Sequence, residues 1–123
     1  MGFADAWTDW ADRGMDVVVL RDIPTTGGVW MNDCLAVNAT DPLACARPRA
    51  QAVVPDAISV GAELVASDDR IRFVDFSDHF CDEQLCYAVV GGAIVYFDRD
   101  HLTGQFARTL APFLLEEIGD RLK

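Results

Sequence analysis

The chain has 123 residues, which fits one domain, and its 51% hydrophobic content is enough to build a core. Its formal net charge is −10 and its 10 Lys and Arg residues are scattered, so no nucleic-acid partner is expected, because phosphate binding requires a basic patch. The sequence contains no run near the ~20 apolar residues of a membrane span, and its first residues lack the basic and apolar regions of a signal peptide.

The first 20 residues predict a helix followed by a strand. Apolar residues recur at helical spacing, and Gly14 follows them at a position where helices often end. This stripe is expected in the core, or against a partner if part of the sheet is missing, and it consists of Phe3, Ala6, Trp7, Trp10 and Ala11. The run DVVVL at 16–20 is continuous and rich in β-branched residues, which predicts a strand buried on both faces.

The middle of the chain predicts a long loop, a helix and a second strand. Residues 21–48 are rich in Pro, Gly, Asn and Asp, and a loop of this length is usually functional or held by a cross-link. Apolar spacing between residues 50 and 66 predicts a helix that Pro55 kinks or restarts. The segment RIRFVDFSD at 70–78 alternates Ile71 and Phe73 toward one face, as a strand does.

The last third predicts a hairpin and a long helix. The segment CYAVVGGAIVYFD at 86–98 contains two short strands around a Gly-Gly turn. Thr103 is the best N-cap of the final helix, and Pro112 lies inside it. The apolar face of that helix consists of Phe106, Leu110, Phe113, Leu114 and Ile118. The alternation of helices and strands favours an α/β layered sandwich with a parallel core.

The four cysteines form two local pairs. Ten residues separate Cys34 from Cys45, and four separate Cys81 from Cys86. Two short-loop disulfides are favoured over free buried cysteines, although four cysteines allow three connectivities. A zinc site is disfavoured, because structural zinc sites usually combine two tight Cys-x(2–4)-Cys pairs, so no metal is expected. Disulfides indicate an oxidising compartment.

Asp98 and His101 lie three residues apart, between a predicted strand and the final helix. On a turn, the carboxylate can reach the imidazole, fix its tautomer and leave the other ring nitrogen to take a proton from a serine hydroxyl. The structural alternative is that Asp98 and Asp100 stabilise the N-terminus of the helix through its dipole, while His101 is a surface residue. The spacing alone does not decide between the two.

Four segments, in this order, resemble the C-terminal SGNH domains of bacterial membrane acyltransferase-3 proteins: VVVLRDIP, CLAVNATDPLAC, RIRFVDFSDHFCDEQLC and VYFDRDHLTGQFARTLAPFL. The resemblance covers nearly the whole chain and is most specific in the last segment, an aromatic-Asp-x-x-His-Leu-Ser/Thr motif. It implies a three-layer SGNH/flavodoxin-like sandwich with a mostly parallel sheet. It also implies an extracytoplasmic location, periplasmic or at the cell surface, tethered to the membrane through an upstream transmembrane acyltransferase domain. The paired cysteines suit that location.

By this resemblance, Asp98 and His101 belong to a Ser-His-Asp triad for O-acyl, typically acetyl, transfer to or from cell-surface carbohydrate, without a cofactor. The family's nucleophilic serine lies in a GDS-type block, and no such block is present among Ser59, Ser67 and Ser77. Ser77 also lacks the strand–turn–helix context of a nucleophile. Residues 1–123 are therefore expected to be a partial SGNH-like domain without the nucleophile-bearing N-terminal portion, inactive alone.

An incomplete sheet exposes strand edges that recruit other strands, so a homodimer is expected. The alternative function is a non-catalytic extracytoplasmic module that binds carbohydrate or another partner.

Several other polar and aromatic residues have two interpretations each. Asp22, at the end of the first strand, either shapes a substrate loop or forms a turn. Trp30, in the long loop, either contacts a sugar ring or packs. His79 is interpreted as a loop or surface residue rather than a second base. Two asparagines of the loop match no oxyanion motif, namely Asn32 and Asn38.

Overall fold

The structure of the protein, a computed structural model, describes residues 2–119. Its helices are α1 (Phe3–Asp12), α2 (Met31–Val37), α3 (Arg49–Ala52), α4 (Ala57–Leu64), α5 (Ser77–Phe80) and α6 (Gly104–Ile118), with a 3₁₀ helix at Pro42–Cys45. Its strands are β1 (Val17–Leu20), β2 (Arg47–Pro48), β3 (Ile71–Val74), β4 (Leu85–Cys86), β5 (Val89–Val90) and β6 (Ala93–Ile94). Within residues 2–119, no helix has the length and apolar character needed to cross a bilayer.

The described residues fall into two compact units, and the first comprises residues 2–22, 55–76 and 116–119. Its sheet is the parallel pair of β1 and β3, in register from Val17 opposite Ile71 to Leu20 opposite Val74. In β1 the side chains of Val17 and Val19 are buried, whereas Leu20 is exposed. The expectation that this strand is buried on both faces is therefore wrong, because the core of the unit lies against one face of the strand.

Helices α1 and α4 supply the rest of that core. They approach closely at Gly61, where an added Cβ would lie 3.1 Å from Cζ3 of Trp7. Phe3 and Trp10 are 48% and 45% exposed, so placing the whole aromatic stripe of α1 in the core was wrong: only Trp7 of the three aromatics faces inward. The buried cluster consists of Trp7, Ala11, Val17, Val19, Ala62 and Ile71.

The helix predicted between residues 50 and 66 is interrupted and restarted. Helix α3 ends at Ala52, and α4 begins after Pro55 with Asp56 as its N-cap. The Ser59 amide donates to the Asp56 carboxylate (2.7 Å), and the Asp56 amide donates to the Ser59 hydroxyl (2.9 Å), which forms a reciprocal capping box. In β3, Val74 is buried while Phe73 is exposed, so the predicted alternation of Ile71 and Phe73 is also wrong.

The second unit comprises residues 23–54 and 77–115, and it contains two short antiparallel sheets. Strand β2 pairs with β4, and β5 pairs with β6. The predicted hairpin is confirmed: Gly91 and Gly92 connect β5 to β6 with φ of 56° and 79°. Two residues with positive φ are what a type I′ turn requires, and glycine adopts that backbone without steric cost.

The region predicted as a long loop, residues 21–48, contains α2, the 3₁₀ helix and β2. Sequence composition missed these elements because they are short and are held by cross-links rather than by helix propensity. The Cys34–Cys45 disulfide joins α2 to the end of the 3₁₀ helix, with 6.0 Å between the Cα atoms. The second disulfide joins Cys81 to Cys86, with 3.9 Å between the Cα atoms. Both pairings agree with the predicted ones.

Helix α6 begins as predicted, with Thr103 as its N-cap. The Phe106 amide donates to the Thr103 hydroxyl oxygen (3.1 Å), and that hydroxyl donates to the Ile94 carbonyl. Phe106 and Leu110 are buried, and the Phe106 ring lies edge-on to Phe80 with centroids 5.0 Å apart. Of the predicted apolar face, Phe113 is exposed and the positions beyond it are only partly covered.

The fold class is therefore mixed α/β, as predicted, with small sheets. Within residues 2–119 there are three two-stranded sheets, and the parallel one is formed by β1 and β3.

Candidate functional site

The candidate site is the loop of the second unit between β6 and α6. Tyr96 and Leu102 form an isolated antiparallel bridge, which closes the loop at its base. The Phe97 amide donates to the His101 carbonyl (3.1 Å), and the Thr103 amide donates to the Val95 carbonyl (2.8 Å). A hairpin therefore leads into the loop, a capped helix leads out of it, and the residues between them are held in a defined conformation.

The carboxylate of Asp98 organises this loop. Its Oδ1 accepts from the amides of Asp100 (2.8 Å) and His101 (2.7 Å), an arrangement in which an aspartate side chain replaces the backbone acceptor of a turn. Its Oδ2 lies 2.8 Å from Nδ1 of His101. Because an ionised carboxylate can only accept hydrogen bonds, Nδ1 is the donor of this pair. The spacing of three residues therefore brings carboxylate and imidazole together.

The charges of the pair stabilise each other. Hydrogen bonds from the Asp100 amide, and then from the His101 ring and amide, lower the pKa of Asp98 from 3.8 to about 2. The hydrogen bond and negative charge of Asp98, together with the charge of Asp100, raise the pKa of His101 above its usual 6.5. Asp98 is thus ionised at neutral pH and favours the protonated form of the imidazole, which is the state that a general base reaches during catalysis.

The imidazole is also open to solvent. The His101 side chain is 66% exposed, whereas the Asp98 carboxylate beneath it is only 17% exposed. The ring of Phe97 stacks on the imidazole, with centroids 5.6 Å apart and an angle of 22° between the planes. With Nδ1 held by carboxylate, Nε2 is the ring nitrogen left to exchange a proton with a molecule that approaches from solvent.

A second carboxylate lies at the same nitrogen, since Asp100 Oδ1 is 2.7 Å from His101 Nδ1. Among residues 2–119, Asp98, Asp100 and His101 are the group whose ligand atoms lie within 4.8 Å of one another, close enough to share a metal ion. Two carboxylate oxygens at one Nδ1 provide more acceptors than its single proton needs. The second carboxylate therefore acts on the imidazole mainly through its negative charge and to a smaller extent through a hydrogen bond.

The structure also brings Trp30 to this loop. Trp30 lies directly before α2, in the region predicted as a long loop, and the residue is 49% exposed. The guanidinium carbon of Arg99 lies 5.5 Å from the centroid of the Trp30 ring, a cation–π distance. The buried hydroxyl of Thr26 donates to the Arg99 carbonyl, and the Tyr96 hydroxyl donates to the Pro24 carbonyl (2.7 Å). Residues 24–30 are thereby fixed against the Asp98–His101 loop.

The three serines do not supply an evident nucleophile within residues 2–119. Ser59 is buried, and its hydroxyl belongs to the capping box of α4. Ser77 is buried at the start of α5. Ser67 is exposed in the turn that follows α4, in the other unit from His101. The expectation that Ser77 lacks a strand–turn–helix context is wrong, because it begins α5 with only two residues between it and the end of β3. Its burial nevertheless differs from the exposed position of a catalytic serine at such a turn.

The remaining candidates have structural surroundings. Asp22 is exposed at the second position after the end of β1, in the first unit. The Asn38 amide donates to the Cys34 carbonyl (2.9 Å) at the end of α2, so it serves the helix. His79 lies on α5 and not in a loop, half-buried against Phe113 with ring centroids 4.2 Å apart. Asn32 is exposed in the first turn of α2.

Sequence reasoning missed Arg99 and Thr26, and it included Phe97 only as the aromatic residue of the motif. Phe97 and Arg99 flank Asp98 in the motif itself, so their position next to the pair could have identified them. Thr26 gives no such signal, because its partner is 73 residues away in the sequence.

Comparison with known protein families gives a match over nearly the whole chain. The family model described as the SGNH domain fused to AT3 domains matches residues 2–116. A search of curated proteins found no match, and a search of solved structures found none either.

Proposed function

The chain belongs to the family of SGNH domains that are fused to acyltransferase-3 (AT3) domains, and we propose that it supplies the Asp–His pair of a Ser-His-Asp triad. Membership makes the chain an acyltransferase-associated module. The proposed reaction is O-acyl, typically acetyl, transfer to or from cell-surface carbohydrate. His101 is the general base and Asp98 its orienting carboxylate, while the serine comes from a portion of the parent protein outside these 123 residues.

Proton transfers through Nε2 of His101 account for both halves of the reaction. Nε2 takes the serine proton as Oγ attacks the acyl carbonyl carbon, and the imidazolium then gives that proton to the leaving alcohol. In the second half, Nε2 takes a proton from the sugar hydroxyl that attacks the acyl-serine, and returns it to the serine. Asp98 holds Nδ1 and stabilises the imidazolium in each half.

The observation that carries the proposal is the 2.8 Å contact between Asp98 Oδ2 and His101 Nδ1, with the imidazole two-thirds exposed. A histidine that served only to cap α6 would not need a carboxylate on its ring nitrogen. A histidine that served only the core would not be open to solvent. The combination is what a general base requires: a fixed tautomer and an accessible second nitrogen.

We further propose that the chain is part of a three-layer sandwich with a mostly parallel sheet, completed by the nucleophile-bearing N-terminal portion. In support, neither outer edge of the β1–β3 sheet is paired with another strand within residues 2–119, and Leu20 of that sheet is exposed. The chain alone is then inactive. Its two disulfides support an extracytoplasmic location, tethered to the membrane by the AT3 part of the parent.

The isolated chain is also proposed to form a homodimer. The surface between α1 and α4 is apolar and open, with Phe3, Val60 and Leu64 exposed along it. Burial of this surface and of the open sheet edges favours self-association. Light scattering that gives the mass of a monomer would argue against the dimer.

The test of catalysis uses the parent protein and the hydrolysis of 4-nitrophenyl acetate. The change His101→Ala should lower kcat/KM by roughly 10²–10⁴-fold, the usual contribution of a general base. The matched control is His79→Ala, which removes the other histidine of the chain and should leave the rate within about twofold, because its ring packs on Phe113. Equal rates for the wild type and the His101 variant would remove this residue from the mechanism.

A second candidate function is a non-catalytic module that binds carbohydrate. It is favoured by the burial of Ser59 and Ser77 and by the exposed aromatic rings of Trp30 and Phe97 around the loop. The parent protein distinguishes the two functions. If His101→Ala leaves esterase activity unchanged while a saccharide still perturbs Trp30, the binding module is the correct function.

A further inference from the structure

Arg99 differs from most arginines of the described chain in having no carboxylate partner. Five others make ion pairs with aspartate or glutamate: Arg13, Arg21, Arg49, Arg70 and Arg72. Arg47 donates to the Thr25 carbonyl. Within residues 2–119, the guanidinium of Arg99 makes no ion pair and no hydrogen bond, although the chain carries 20 acidic residues and a net charge of −10. An exposed cation in such a protein is available for an external anion.

Arg99 is nevertheless held in place. Its backbone carbonyl accepts from the buried Thr26 hydroxyl, and its guanidinium lies over the Trp30 ring at 5.5 Å. The N–H donors of a guanidinium point outward in its own plane, so a guanidinium that contacts an aromatic ring can still bind an acceptor. Because the backbone carbonyl has a partner and the guanidinium contacts the indole, less conformational entropy is lost on binding a ligand than for an arginine without contacts.

The carboxylates next to Arg99 in the sequence contact the imidazole and not the guanidinium. The carboxylates of Asp98 and Asp100 are both directed at Nδ1 of His101, at 2.8 and 2.7 Å. More distant acidic residues act weakly, because exposed charges are screened over about 8 Å at physiological ionic strength. The guanidinium is therefore the local cation that a carboxylate on a ligand would meet.

From these observations we propose that Arg99 and Trp30 form a binding site for an anionic saccharide, with the acid group on the guanidinium and the sugar ring on the exposed part of the indole. The inference rests on the proposed function and names its substrate class. A carboxylate accepts two parallel N–H bonds from an arginine, and a pyranose places its C–H face on an aromatic ring. Since Arg99 belongs to the loop that carries His101, the site would bind the sugar beside the acyl-transfer pair.

The test is a titration of this chain with tri-galacturonic acid and with its neutral tri-methyl ester, which has the same sugar rings and linkages but no charge. Binding is followed by the Trp30 indole N–H signal in ¹⁵N-correlated NMR spectra. The acidic sugar should bind at least about tenfold more tightly than the neutral one, the size of a charge-assisted hydrogen bond. Equal affinity for the two sugars would overturn the proposal.

Two variants locate the effect. Arg99→Gln should remove the preference for the acidic sugar, because the amide keeps hydrogen-bonding capacity but has no charge. Arg99→Lys should retain part of it. Arg108→Gln is the matched control, because this arginine also lacks an ion pair within residues 2–119 but lies on α6 and makes no cation–π contact with Trp30 there. Its loss should not change the preference for the acidic sugar. A preference that survives Arg99→Gln would overturn the proposal.

The wild-type chain gives an independent check that does not depend on folding of a variant. Raising the salt concentration to about 0.5 M should weaken binding of the acidic trisaccharide and leave the neutral one unchanged, because the Debye length shortens to a few ångströms. Binding that does not respond to salt would count against a guanidinium–carboxylate contact.

The two proposals fail separately. Binding is measured without turnover, so a loss of acid preference together with His101-dependent esterase activity in the parent would refute only the anionic substrate class. An acid preference without His101-dependent activity would refute the triad and retain the binding site.

Discussion

The disulfide between Cys34 and Cys45 should stabilise the chain more than the disulfide between Cys81 and Cys86. The comparison uses two double variants, each of which retains one disulfide, and measures stability before and after that disulfide is reduced. In Cys81→Ala/Cys86→Ala the remaining bond closes a separation of 11 residues, and in Cys34→Ala/Cys45→Ala it closes a separation of 5. Comparing the oxidised and reduced forms of the same variant keeps the side-chain packing constant, so the difference reports the cross-link itself.

The magnitude follows from the loop lengths. Cross-linking changes the entropy of the unfolded chain by about −2.1 − 1.5R ln n cal/mol/K, where n is the number of residues that the disulfide spans. At 25 °C the resulting stabilisation of the folded state is about 2.8 kcal/mol for the longer separation and about 2.1 kcal/mol for the shorter one. The difference of about 0.7 kcal/mol is close to the resolution of urea denaturation, but each value by itself is a large part of the stability of a small domain.

The assay is urea denaturation followed by far-UV circular dichroism, with and without reductant. Hydrogen exchange gives a local readout: reduction of Cys34–Cys45 should lower the protection of the α2 amides, because this bond joins the helix to the 3₁₀ helix that follows it. The reasoning would be refuted if reduction of Cys34–Cys45 cost nothing, or clearly less than reduction of Cys81–Cys86. Either result would mean that residues 31–45 retain their arrangement without the cross-link.

Two further predictions concern the loop and the helix that follows it. Asp98→Asn should lower the pKa of His101, and Asp100→Asn should lower it less, because the contact with Asp98 is the larger cause of the raised pKa. The pKa is measured by NMR in a His79→Ala background, which leaves one histidine in the chain. An equal effect of the two changes would contradict this prediction. The same pair makes the stability of the folded chain depend on pH. The contribution of Asp98 is complete above its unfolded pKa of 3.8 and is lost as the pH falls toward about 2. The contribution of His101 is complete below pH 6.5 and is lost as the pH rises through its raised pKa. Thr103→Ala should destabilise the chain by about 1 kcal/mol, because it removes the N-cap of α6. The control Thr109→Ala, inside the same helix, should change stability by no more than about 0.5 kcal/mol. Similar losses of stability for both variants would exclude a capping effect.

Local interactions explain the features that could be read from the sequence. The hairpin depends on two adjacent glycines, the start of α6 depends on a threonine three residues before an amide, and the Asp98–His101 contact spans three residues. The disulfides also close short separations. In each case the chain between the partners is too short to bring them together in many ways, so residue type and spacing were enough.

Features that depend on distant partners could not be read in this way. Phe3, Trp7 and Trp10 have the same helical spacing, yet only Trp7 is buried, because the position of Gly61 on α4 determines which part of α1 is covered. The strand at residues 17–20 has the composition of a fully buried strand, but the described sheet has two strands and Leu20 is exposed. Burial is a property of what packs against a segment, which the segment itself does not encode.

The candidate site divides along the same line. The sequence by itself brought Asp98 and His101 within reach of each other, since an aspartate side chain at the start of a turn can accept from the second and third amides after it. Only the tertiary structure placed Trp30 under Arg99 and Thr26 on the Arg99 carbonyl, across separations such as 73 residues. Contacts of that range are selected by the packing of the whole unit, because no local geometry restricts which distant residue arrives.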